Sequence, residues 1–315
     1  MSTETESTLA EPSGAWVSAR PTRMVEVLQR LVGLPFLVRE HWDLVRTSLR
    51  RDLSARFQGT ILGWAWPIVQ PLVMFAIYFF IFTELLQQKI RDLPENLKAL
   101  MGVYMFCAMV PWSALAESLG RGTTVIVDNG NLIKKLVFPS ELLPLNTVLA
   151  SLTMMLFGVG GFVLAALFTP VWPRPGPLYW IPVLVVVQGL FVYGLVLFFS
   201  TLQVFLRDTI QLVGMATTVW MFLTPVFWSP ELLGKDLEPY LPMIHANPAY
   251  HMVSAWRATL MGDVVVPSGV EVLHPAVVVA DIPWHIGVLA LWALGTYALG
   301  YAFFVFSQRR FADEV

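Results

Sequence analysis

Residues 175–206 read PGPLYWIPVLVVVQGLFVYGLVLFFSTLQVFL, and between the flanking Arg174 and Arg207 they hold no Asp, Glu, Lys, Arg or His. A helix needs roughly 20 apolar residues to cross a hydrocarbon core about 30 Å thick, and this run supplies more than that. Five further stretches of the same kind surround it: Gln58 to Thr83, Ala99 to Ala116, Leu142 to Pro173, Thr209 to Pro230 and Ile282 to Gln308. The fold class that follows is an all-α polytopic membrane protein with six transmembrane helices. Buried helices of a large soluble protein fit poorly, because six such runs would leave too little polar surface. Composition agrees: 56% of residues are hydrophobic and 13% charged, with a mean hydropathy of +0.65. A soluble domain carries about 25% charged residues.

Orientation follows from Lys and Arg, which accumulate in retained loops. The segment before the first stretch holds Arg20, Arg23, Arg30, Arg39, Arg46, Arg50, Arg51 and Arg56. The second loop holds Arg121, Lys134 and Lys135, the fourth Arg207, and the C-terminus Arg309 and Arg310. Loops one, three and five hold only Lys89, Arg91, Lys98, Arg174, Lys235 and Arg257, and loop five is acidic. Both termini are therefore expected to be cytoplasmic. Met1 to Gly14 is acidic and rich in Ser and Thr, without the basic start or short apolar core of a signal peptide. Residues 1–35 are expected to form a disordered or extended tail.

Several function classes are disfavoured at once. A single cysteine, Cys107, provides neither a disulfide framework nor a cysteine metal cluster. A net charge of -2 with pI about 6.2 gives no sign of nucleic-acid binding. His245 and His251 lie six apart, not at the i,i+4 spacing that places two ligands on one helical face, so no metal site is expected.

Between Phe36 and Phe57 the residues Val38, Trp42, Val45, Leu49, Leu53 and Phe57 recur at helical spacing, while Arg39, Glu40, Asp43, Arg46, Arg50, Arg51, Asp52 and Arg56 fill the other face. This segment, 36–57, is amphipathic and too polar to span, so it is expected to lie in the membrane interface as an anchor or as a collar for a cytoplasmic partner. In the first span Pro67 and Pro71 remove backbone donors, which kinks or breaks a helix. In the second loop Asp128-Asn129-Gly130-Asn131 forms a turn and a helix cap; a short basic helix, 131–137, follows and stops at Phe138-Pro139. The loop between spans five and six, 231–281, contains an apolar part from Tyr240 to Met261. That part is expected to fold back into the outer half of the membrane as one or two short re-entrant helices.

The chain has 12 Trp, 8 Tyr and 21 Phe. Trp66, Tyr78, Tyr104, Trp220 and Phe222 fall in span interiors, where they serve either as ordinary packing or as a surface on which sugar rings could stack. Gly158-Val159-Gly160-Gly161 in the third span suits a close helix approach.

The sequence Arg51-Asp52-Leu53-Ser54-Ala55-Arg56-Phe57-Gln58-Gly59-Thr60-Ile61-Leu62-Gly63 leads into the Pro-containing first span. Asn131-Leu132-Ile133-Lys134-Lys135-Leu136-Val137-Phe138-Pro139 follows in the second loop, and Thr224-Pro225-Val226-Phe227-Trp228 with Asn247-Pro248 closes the series. In this order these landmarks resemble the membrane subunit of ABC-2-type exporters of the O-antigen, teichoic acid and capsular polysaccharide branch, over roughly residues 36 to 310. The six-span domain is placed at 58–310. The resemblance implies a homodimer in the bacterial plasma membrane, joined to two copies of a cytoplasmic ATPase subunit and moving a lipid-linked glycan. It implies no catalytic residue and no cofactor in this chain; ATP and Mg belong to the ATPase partner. The absence of any G-x-x-x-x-G-K-[ST] sequence agrees with that division. The resemblance further implies docking of the ATPase on Asn131, Leu132, Ile133, Lys134 and Lys135. Arg50, Arg51 and Arg56 become candidates for the lipid diphosphate, with a solvated amphipathic face as the alternative.

Three alternatives stay open. An ABC-2 exporter of small hydrophobic compounds would not need so many aromatics compatible with sugars. An integral-membrane polyprenyl-lipid transferase should place acidic or histidine residues at the membrane surface for metal and acid/base chemistry, and Asp128 and Glu141 flank a basic loop without forming such a cluster. A secondary transporter should carry ionisable residues deep within its spans.

Overall fold

The computed structural model describes residues 24–81, 95–135, 139–166, 177–228, 239–261 and 281–314. Among these residues the regular structure is helical throughout. Two helices open the described region, α1 (Met24–Glu40) and α2 (Trp42–Phe57), separated at His41. This differs from the expectation in two places. The extended tail was to reach residue 35, yet helix begins at Met24, and one helix was to run from Phe36 to Phe57, yet it breaks at His41. Tertiary contact accounts for the first difference: Leu31 and Leu34 pack against the core, and the Tyr297 hydroxyl donates to the Leu31 carbonyl at 2.9 Å. The rest of the expected tail, residues 1–23, lies outside the described residues.

On α2, Val45 and Leu53 are buried and Asp43, Arg46, Arg50 and Arg51 stay exposed, whereas Asp52 and Arg56 are partly covered. The chain then turns through Gly59 and Gly63, whose φ values of 79° and 49° are readily reached only by glycine. Next come α3 (Trp66–Phe80), with Pro71 inside it, and α4 (Glu95–Asp128), with Pro111 inside it. The 34 residues of α4 make a rod about 51 Å long at 1.5 Å per residue. Asn129 ends it, its side-chain amide turning back to donate to the Val125 carbonyl at 2.8 Å. The short helix α5 (Gly130–Lys135) begins one residue later; the expected continuation to Val137 lies outside the described residues. Then follow α6 (Leu142–Ala166), α7 (Ile181–Phe205) and α8 (Thr209–Leu223). The apolar part of the long loop forms α9 (Leu241–Ala246) and α10 (Pro248–Met261), and the chain closes with α11 (Ile282–Ser307) and α12 (Phe311–Glu314).

Among the described residues three helical segments are long and apolar enough to cross a membrane: Leu142–Leu164, Leu178–Phe205 and Ile282–Arg310. Thr209–Leu223 is apolar but shorter. Side-chain pairings give the directions of the bundle. Gln188 meets Pro111, and Val196 meets Gly122, so α7 runs parallel to α4. Thr296 meets Phe191 and Gly300 meets Gly194, so α11 runs parallel to α7. Phe162 stacks on Phe106 while Gly158 faces Val110, which makes α6 antiparallel to α4. Trp220 meets Phe191 and Ile210 meets Gln203, which makes α8 antiparallel to α7.

The α7–α11 contact is the closest in the bundle. A Cβ on Gly300 would collide with the Gly194 carbonyl, and one on Gly194 with the backbone of Thr296 and Tyr297, so only glycine lets the two backbones touch here. Gly158 and Gly161 of α6 similarly admit Pro71 and Ile68 of α3. The most enclosed element is α10, buried at every position from His251 to Met261 between α4, α7 and α11. Its Arg257, counted above among the charges of an external loop, is an interior residue. The guanidinium lies 3.6 Å from the centre of the Tyr104 ring and donates to the Tyr104 carbonyl at 3.1 Å, the Tyr104 hydroxyl at 2.9 Å and the Val226 carbonyl at 2.9 Å. Polar partners of this quality are what make a buried cation tolerable. His251 of α10 and His285 of α11 meet through their Nδ1 atoms at 2.8 Å, adding a second polar tie.

Candidate functional site

The α5 end of the bundle carries a network of ion pairs between α2 and α4. Arg56 bonds Glu117 and, at 3.3 Å, Asp52; Arg121 bonds Asp52 at 2.6 Å and approaches Glu117 at 3.7 Å. Asp52 and Arg56 are one turn apart on α2, and Glu117 and Arg121 are one turn apart on α4, so two i,i+4 pairs interlock. The side chains are between 13% and 44% exposed, which places the network half in solvent and limits its worth for stability. Its geometric effect is larger: it fixes α2 to the end of α4, about two turns before α5 begins.

Behind Arg56 and Glu117 opens a cavity of about 450 Å³ between α2, α3, α4 and α6. Gln70, Ser113 and Ser151 give it polar points, while Met74, Met109, Met154 and Met155 share the apolar wall with Phe57, Phe106 and Val110. Thioether side chains are unbranched and deformable, so such a wall adapts to ligands of varied shape. A second cavity of about 470 Å³ lies at the opposite end, where α8 meets α9, and Trp220, Phe222, Trp228, Tyr240 and Met243 line it. Asn247 organises this end: its amide oxygen accepts from the Trp220 indole at 2.8 Å and from the Ala249 amide at 3.0 Å, while its amide nitrogen donates to the Thr224 hydroxyl at 2.9 Å.

The aromatic candidates do not form one surface within the chain. Trp220 and Phe222 share the second cavity, with Trp220 also edge-on to Trp112 at 5.7 Å and Phe222 exposed. Trp66 is exposed at the start of α3, and Tyr104 is buried beneath Arg257. The Tyr78 side chain lies outside the described residues. The arginine candidates also divide. Arg50 and Arg51 stand exposed on α2, whereas Arg56 turns inward to its two carboxylates. Asp52, Glu117 and Arg121 were not singled out as site residues from the sequence, because partners up to 69 residues apart leave no local pattern.

On α5, Asn131 and Lys134 are exposed, Leu132 is half-buried, and Ile133 is half-buried against the core. Lys135 belongs to the helix, but its side chain lies outside the described residues. The helix rests on α12, whose Phe311 is fully buried. Among the described residues no three His, Cys, Asp or Glu side chains converge as a metal-binding group.

Comparison with known proteins adds a family to this geometry. A family model described as ABC-2 type transporter matches residues 43–261, which is more than half of the chain. The chain is also similar to the O-antigen export system permease protein RfbA of Klebsiella pneumoniae, 25% identical over 233 residues that cover 74% of this chain and 86% of the relative. A second protein of that name, from Myxococcus xanthus, is 27% identical over 225 residues, covering 70% of this chain and 83% of the relative. The matched region begins in α2 and ends with α10, so it takes in the ion-pair network, both cavities and α5. The chain belongs to the ABC-2 type transporter family.

Proposed function

We propose that this chain is the permease subunit of an ATP-driven exporter that moves a lipid-linked polysaccharide, of O-antigen, capsule or teichoic acid type, across the bacterial inner membrane. The observation that carries this reading is the similarity to O-antigen export permeases along most of both chains. The chain holds no phosphate-binding loop, so ATP and Mg act on a separate cytoplasmic ATPase, two copies of which serve a dimer of this chain.

In this reading both termini and α5 face the cytoplasm, as the distribution of Lys and Arg suggests. The common direction of α4, α7 and α11, with α6 and α8 reversed, suits their assignment as even- and odd-numbered members of six spans. The amphipathic α2 lies in the cytoplasmic interface, with Trp42 at headgroup depth. α9 and α10 form a re-entrant pair, its polar groups satisfied by protein rather than lipid; the bonds of Arg257, His251 and Asn247 support this. Arg50 and Arg51, exposed on α2, are placed to attract the lipid diphosphate, and Arg56 orients their helix through Glu117. Trp66, Trp220 and Phe222 supply aromatic faces for the glycan, and Asn131 and Lys134 of α5 meet the ATPase.

Depleting the subunit in its host tests the substrate class. The expected result is accumulation of a lipid-linked glycan on the cytoplasmic leaflet, identified by mass spectrometry. Retention of small hydrophobic compounds without any glycolipid build-up would contradict it.

A further inference from the structure

α5 is continuous with α4 at Asn129 and with α6 through residues 136–141, so a push on α5 should reach those two helices first. The structure ties the same region to two other helices. The Tyr193 hydroxyl of α7 donates to the Glu141 carbonyl at 3.1 Å in a buried setting. The Gln308 amide, just past α11, donates to the Ser140 hydroxyl at 2.9 Å. Three residues on, Phe311 is buried against Phe304 at 5.2 Å, and its short helix α12 is the one on which α5 rests. The Tyr193 ring stacks on Tyr297 of α11 at 5.9 Å, beside the Gly194–Gly300 crossing where the two backbones touch.

We propose that Tyr193 and the C-terminal segment Gln308–Glu314 are positioning elements that deliver a displacement of α5 to α7 and α11 together. The proposal rests on the functional reading above, in which an ATPase moves α5. Its physical basis is twofold. A buried hydrogen bond is costly to leave unmade, so the 140–141 segment cannot shift without carrying its partners or breaking those bonds. Two helices in backbone contact at paired glycines cannot slide apart gradually, because close-packed interfaces move as units. Motion arriving at either helix is therefore shared by both. Without these ties, the drive from α5 would reach α7 and α11 only through the packing of α4 and α6 against α7.

The test uses the full complex of this chain with its ATPase in vesicles, with ATP hydrolysis and glycolipid movement measured separately. Tyr193→Phe keeps the ring and removes the donor. A chain ending at Ser307 removes the α5 seat. Gln308→Leu breaks the Ser140 bond, whereas Gln308→Glu preserves it by accepting from the Ser140 hydroxyl. The expected result is retained assembly and hydrolysis, with glycolipid moved per ATP falling about fivefold or more in the first three variants and restored in Gln308→Glu. Unchanged ratios in Tyr193→Phe and Gln308→Leu would overturn the proposal. So would a parallel loss of hydrolysis, transport and assembly that Gln308→Glu shares, since that pattern marks a merely structural role. A wild-type complex that hydrolyses ATP and moves no glycolipid would instead remove the functional reading on which the proposal depends.

Discussion

Arg257 shows how one residue can be misread from its charge. In sequence it is one of two basic residues, with Lys235, in a loop of acidic character; in the structure it joins α10 to α4 and to the turn after α8 by three hydrogen bonds and a ring contact. Replacing Arg257 by Met should cost about 3 kcal/mol, since the Tyr104 and Val226 carbonyls each lose a donor in a buried site. Arg257→Lys should recover only part of this, because one ammonium cannot reach both carbonyls and the phenol as a planar fork does. Thermal unfolding of the detergent-solubilised protein measures both, and an unchanged midpoint for Arg257→Met would contradict the assignment. The reason this role was illegible is physical: the apolar content of 240–261 announces short helices, but nothing local announces that α10 is buried at every position from His251 to Met261.

The apolar stretches and the short helix around Asn131 were readable as helices because each depends on neighbouring residues: uninterrupted apolar runs and a turn sequence, although the short helix begins at Gly130. Helix pairing was not readable, because it depends on which glycines meet. Gly158 and Gly161 stood out as a local small-residue cluster, and they do face α3; Gly194 and Gly300 stand alone in sequence and make the tighter crossing. Gly300→Leu should therefore force α7 and α11 apart, with about 1–3 kcal/mol of overpacking or more where backbone is the obstacle. Gly295→Leu, with open space around its Cβ position, is the matched control on the same helix. Folded yield by size-exclusion chromatography should fall for the first and hold for the second. Within α5, Ile133 packs on the core while Leu132 is half-buried. Leu132→Asp should leave the chain inserted and reduce ATP-driven export severalfold, and normal export in a vesicle assay would take α5 out of the ATPase contact.

Across the whole molecule, the absence of charge from the long apolar stretches and the absence of a phosphate loop point the same way. The ionic groups that the structure brings together sit at the ends or in the enclosed α10: the α2–α4 network near α5, and the Arg257 and histidine ties toward the start of α11. Among the described residues neither arrangement forms a relay through the bundle, which agrees with the proposal that the driving force comes from another protein. Vesicles holding this chain, loaded on one leaflet with lipid-linked glycan, test that claim most directly by comparing glycan crossing with and without the ATPase subunit. The account predicts crossing only when the ATPase and hydrolysable ATP are both present. Crossing at an equal rate with this chain alone would contradict it.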